Sequence, residues 1–71
     1  MYDSYKLEEE KYYVSLGMRK YGGSFIQYLG EALAHADIFN TKKIKETWPE
    51  YWQDYLEIGK RISQRASNSV G

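Results

Sequence analysis

The sequence predicts an all-α fold: a compact bundle of three to four short helices that associates into oligomers. Three observations lead there. Apolar residues recur at three- and four-residue spacing over residues 24–36 and 48–62. Each of these stretches opens on an S/T-x-x-E/Q signature, the form of a helix capping box. Gly22-Gly23 precede the first stretch and the caps Asp37 and Asn40 stand between the two, and these punctuate helices rather than strands.

The N-terminal third, "DSYKLEEEKYYVSLGMRKY", is rich in Leu, Glu and Lys, and Tyr5, Tyr12 and Leu16 fall on one helical face. "KYYVSL" also alternates like a short strand. Helix over about residues 3–20 is the favoured reading. In the next segment, "SFIQYLGEALAHAD", Ser24 and Gln27 form the first capping signature. Phe25, Tyr28, Leu29, Ala32, Leu33 and Ala36 make an apolar stripe there, with Ile26 to one side. Gly30 weakens this helix by roughly 1 kcal/mol relative to alanine unless something packs closely on it. A short helix is expected over residues 41–46.

The last helix is the clearest. Thr47 caps, Glu50 reaches back, and Pro49 sits in the first turn, where its missing N–H is not needed. Trp48, Tyr51, Trp52, Tyr55, Leu56, Ile58, Gly59 and Ile62 then follow one broad face, and Glu57 and Arg61 make an i,i+4 pair. Residues 1–62 are read as a single domain with 1–18 as an N-terminal helix or arm, and 63–71 as a disordered tail. Ser24–Ala36 and Trp48–Ile62 are expected to pair, bridged by the short helix.

Length and composition narrow the function classes. A chain of 71 residues is near the lower limit for independent folding. It has no cysteine, which removes disulfides, thiolate nucleophiles and Cys-ligated zinc. Aromatic packing, oligomerisation or both must supply the stability. Ten basic residues balance ten acidic ones, an arrangement that argues against a role built on phosphate neutralisation. The charge is uneven, however: residues 60–71 carry Lys60, Arg61 and Arg65 with no acid. No segment reads as a membrane span or a signal peptide, so a soluble, cytoplasmic protein is expected.

Catalytic groups are few. His35 is the sole imidazole, with Glu31 one turn before it and Asp37 two residues after. A carboxylate-oriented base or part of a metal site is conceivable on that spacing, but a histidine closing a helix C-terminus is the stronger reading. No enzyme, metal or cofactor is expected. Eight tyrosines are too many to bury in so small a volume, and exposed Tyr and Trp suit interaction patches. Tyr51, Trp52 and Tyr55 are the expected partner-binding residues. A second reading takes Arg19, Lys20 and the Gly22-Gly23-Ser24 turn, with Lys42, Lys43 and Lys45, as an anion, nucleotide or nucleic-acid site. Glu46, Glu50, Asp54 and Glu57 dilute that field.

Over residues 20–55 the chain resembles a group of small proteins of tailed bacteriophages and prophages. The resemblance rests on Lys20-Tyr21-Gly22-Gly23-Ser24-Phe25, Leu29-Gly30-Glu31-Ala32, Ala36-Asp37, Asn40, Lys43-Ile44 and Trp48-Pro49-Glu50-Tyr51. It covers about half the chain and departs at Ile38, where that group often has proline, which implies a looser turn here. The resemblance implies a phage-encoded accessory protein of the bacterial cytoplasm and carries over no catalytic residue. Together with the lack of catalytic groups and the tyrosine excess it points to an inhibitor or modulator of host defence or metabolism. The leading expectation is therefore a non-enzymatic protein that binds a host protein and forms a homo-oligomer, most simply a dimer. A structural role in virion assembly is the third reading.

Overall fold

Four helices in chain order, α1 (Ser4–Tyr21), α2 (Ser24–Ala34), α3 (Ile38–Thr47) and α4 (Pro49–Val70), form the computed structural model, which describes the backbone of residues 4–70 and the side chains of residues 5–64. No strand occurs among the described residues, so the helical reading of "KYYVSL" holds.

Local chemistry accounts for each boundary. α1 ends where Gly22 donates its amide to the Met18 carbonyl at 2.9 Å, with Arg19 and Lys20 on the negative end of the helix dipole. α2 starts from Gly23, not from a serine capping box. The Gln27 side chain donates instead to the Gly22 carbonyl at 3.0 Å, and the Ser24 side chain makes no cap. The backbone N–H of His35 closes α2 onto the Glu31 and Ala32 carbonyls.

α3 begins three residues earlier than expected. Asp37 accepts the Asn40 amide at 2.8 Å, and Thr41, fully buried, donates its hydroxyl to the Asp37 carbonyl at 2.8 Å. Ile38 holds the first helical position, directly after the Asp37 cap.

The expected Thr47 capping box is corrected too. Pro49 excludes the helical conformation from the residue before it, and that residue is Trp48 (φ −127°, ψ 64°). Thr47 therefore stays inside α3. Trp48 alone joins the helices, donating its amide to the Ile44 carbonyl and accepting that of Trp52, each at 3.0 Å. α4 runs through residues 63–70, which were expected to be tail. No glycine or proline stands between Gly59 and Gly71 to end it.

The tertiary arrangement differs from the expected pairing. α2 and α4 each pack on α1 and not on each other, while α3 spans one end. Leu7, Val14 and Met18 of α1, Ile26 and Leu33 of α2, and Trp52 and Leu56 of α4 make the core. Two close approaches hold the layers together. A Cβ on Gly59 would overlap the Tyr13 carbonyl, and one on Gly30 would lie 2.7 Å from the Met18 Cβ. Gly30 thus has the close neighbour that offsets its low helix propensity.

The inward faces of α1 and α2 match the expected ones only in part: Leu33 is in the core and Leu29 packs against it, as expected. Tyr5 and Tyr12 of α1 are exposed, as are Phe25, Tyr28 and Ala32 of α2. Ile26, expected off to one side, lies in the core.

Candidate functional site

Trp52 was expected to face a partner, and the structure corrects this. α4 turns the indole onto α1, leaving it 2% exposed, and its Nε1–H donates to Glu10 Oε1 at 2.9 Å. Lys45 of α3 donates to the same oxygen at 3.1 Å and places its Nζ 5.5 Å from the indole ring centroid. Burial pushes the Glu10 carboxyl up. The bonds from Trp52 and Lys45 and the charges of Lys45 and Lys6 outweigh it, and the carboxyl sits below its ordinary value. A tryptophan with one polar atom satisfies that atom indoors when an acceptor is within reach, which is why the largest side chain went to the core. This cluster ties α1, α3 and α4 together and leaves no indole surface for a partner.

Tyr51 and Tyr55 remain at the surface, Tyr51 38% exposed and Tyr55 half-buried against the core. The other tryptophan, Trp48, is half-buried and stands between two surface recesses. The larger is an open groove of about 490 Å³ between α2 and α3. Ala32, Ala36, Ile44 and Trp48 give it apolar walls, and His35, Asn40, Lys43 and Thr47 give it polar groups. The smaller, about 220 Å³, lies over Pro49 between Trp48 and Tyr51. Phe25 extends the apolar surface: its ring meets that of Trp48 edge to face, centroids 6.2 Å apart and planes at 72°.

Local sequence explains this groove. Ile26, Gly30 and Leu33 turn inward at i, i+4, i+7, so Phe25, Tyr28 and Ala32 turn outward on the same helix. Small side chains at 32 and 36 leave room above the backbone. Pro49 holds Trp48 out of both helices and so beside Phe25. Phe25, Trp48 and Ala32 were not singled out as site residues from the sequence. The stripe of Phe25, Tyr28 and Ala32 on α2 was the signal for two of them, and Trp48, outside both helices, had none.

The basic residues do not form one patch. Arg19 donates Nε–H to the Ser15 carbonyl at 3.2 Å and places a guanidinium nitrogen 3.9 Å from Glu31. Lys45 is committed to Glu10, nine residues before Arg19 on α1, a separation of roughly 13 Å along the helix. The Gly22 amide is bonded within α1, while Lys20, Gly23 and Ser24 are exposed and Lys42 is half-buried. Lys43 alone of these cations lines the groove. The His35 neighbourhood also separates: Glu31 turns to Arg19 and Asp37 caps α3. Among the described residues, no three His, Cys, Asp or Glu side chains gather as a metal site requires. No helix there is long and apolar enough to cross a membrane.

No protein-family model, curated protein or solved structure matches this chain.

Proposed function

We propose that this chain is a non-enzymatic accessory protein of the phage type that binds a host protein, and that the α2–α3 groove is its contact surface. The attribution to phage rests on the residue pattern over 20–55. The observation that carries the binding role is the Phe25–Trp48 pair: Trp48 stands on the wall of an open groove and Phe25, 57% exposed, meets it edge to face. Rings left in water beside a concave apolar surface offer a partner more buried area per residue than other side chains do. His35 and Lys43 on the lining favour carboxylates. The fitting occupant is a protein segment that presents one apolar anchor with acidic residues beside it.

Ala32→Glu tests this. Ala32 is exposed on a helix, so glutamate is compatible with folding, while its bulk and charge oppose an acidic occupant. Proteins retained from bacterial lysate by the wild type are identified by mass spectrometry, and the purified candidate is titrated by calorimetry against both chains. The expected result is binding to the wild type that weakens roughly tenfold or more with the variant. Equal affinity for both removes the groove. Resonance shifts confined to Gly22–Phe25 on titration with oligonucleotides or cyclic dinucleotides would replace this reading with the anion-binding one. Recovery of the chain from purified virions would replace it with the structural one.

A further inference from the structure

One edge of α4 is left over by both the core and the groove. Tyr51, Tyr55, Ile58 and Ile62 recur at spacings of four, three and four residues, the interval of a helix-pairing seam. None of the four is fully buried, because Trp52, Leu56 and Gly59 supply the face that α4 turns to α1. At one end of this seam Ile58 and Ile62, with Tyr21 of α1 and Arg61, line a recess of about 270 Å³. At the other end stands Tyr51, 38% exposed. A knob and a hole therefore lie on one ridge.

The charges beside the ridge are also self-complementary. Asp54 and Arg61, seven residues apart, flank the seam on the same side, and both are exposed. Among the described residues neither takes part in an ion pair, and the Glu57–Arg61 pair read from the sequence is not closed.

We propose that two copies of the chain associate through this ridge with their α4 helices antiparallel, related by a twofold axis. The apolar positions 51, 55, 58 and 62 are symmetric about 56.5, and positions 54 and 61 about 57.5. These centres differ by one residue, about 1.5 Å of helix rise, so one axis serves both sets. Tyr51 of each copy then faces the recess beside Ile58 and Ile62 of the other. Asp54 of each faces Arg61 of the other, and symmetry repeats every contact. A parallel pairing, whose twofold axis runs along the helices, would put the two Asp54–Arg61 flanks on opposite sides of the seam, so only the antiparallel one brings these charges together. This ridge is separate from the α2–α3 groove, and its test does not depend on the function proposed above.

The experiment is a charge swap read by light scattering and sedimentation equilibrium. The wild type is expected at twice the 8.4 kDa of one chain. Asp54→Lys and Arg61→Glu each replace two attractions with two repulsions and weaken the dimer by roughly tenfold or more. The double variant restores opposite charges and recovers the wild-type dissociation constant. Both changes are at exposed positions, and circular dichroism verifies the fold of all three variants. Tyr51→Ala, also exposed, weakens association without touching the charges. A wild type of single-chain mass at every concentration overturns the proposal. So does an oligomer indifferent to the single reversals, or a double variant no tighter than either single one.

Discussion

Replacing Gly59 with alanine places a methyl group where α4 crosses α1. The added Cβ would overlap the Tyr13 carbonyl and lie 2.6 Å from its carbon and 2.9 Å from the Tyr13 Cα. These are backbone atoms of a helix interior, so no side-chain rotation relieves the clash and the two helices must separate. Overpacking of this kind costs about 1–3 kcal/mol, and the absence of a soft neighbour puts Gly59 at the upper end. Alanine returns about 1 kcal/mol of helix propensity. The net loss is about 2 kcal/mol, out of about 4–11 kcal/mol for a chain of this length. At about 4–8 °C per kcal/mol, the melting temperature should fall by about 8–16 °C in a far-UV circular dichroism melt. Gly23→Ala is the comparison, since nothing lies within 4 Å of its Cβ. Its loss of cap preference and its gain in chain stiffness nearly cancel. If Gly59→Ala melts at or above the wild-type temperature, propensity has won and the α1–α4 crossing is not as close as described.

Two further outcomes test the core. The Glu10 carboxyl is held below its ordinary value of 4.5, so its stabilisation is present above the unfolded pKa and is lost as pH falls through the lower folded one. Urea midpoints should therefore drop below pH 4.5, and Glu10→Ala, which leaves the Trp52 Nε1–H and Lys45 without their acceptor, should cost about 1–3 kcal/mol at pH 7 and flatten that acid limb. An unchanged acid limb in the variant would remove Glu10 as its cause. Leu33→Ala, at a fully buried position, should cost about 2–5 kcal/mol, whereas Tyr28→Ala, 76% exposed on the same helix, should stay within about 0.5 kcal/mol. The reverse order in chemical denaturation would mean that the inward face of α2 is misassigned.

The number and type of the helices were legible in the sequence, because glycine, proline and apolar period are local signals. The faces were not. On α1, Tyr5, Tyr12 and Leu16 have the spacing i, i+7, i+11, and so do Leu7, Val14 and Met18 two residues on. A shift of two residues is about 200° around a helix, so the stripes lie on opposite sides and period alone does not choose between them. Chemistry chooses. Leu, Val and Met carry no polar atom to satisfy, whereas each tyrosine hydroxyl stays hydrated outside. The same choice puts Ile26 and Leu33 inward and Tyr28 outward on α2, whereas Phe25, with no polar atom, lies outward against the Trp48 ring. Trp52 goes the other way because Glu10 supplies an acceptor forty-two residues distant in sequence, a pairing that no local pattern reveals. The groove stayed hidden for a related reason, since Phe25 and Trp48 meet only once the connector at Pro49 has fixed where α4 departs.

The distribution of rings bears on how the two proposed surfaces act together. Every large apolar side chain that is clearly exposed among the described residues is aromatic, on α1, α2, α3 and the start of α4 alike. The groove is built from α2, α3 and Trp48, while the ridge belongs to α4 and the last turn of α1. Occupying the ridge therefore leaves the groove open, and an antiparallel pair displays two grooves related by the same axis. A host protein that is itself a symmetric dimer could then be held at both grooves, with the second contact made at the effective concentration set by the first. On this reasoning, loss of the Asp54–Arg61 contacts weakens capture of a dimeric partner far more than capture of one isolated partner segment. Loss of the groove weakens both alike.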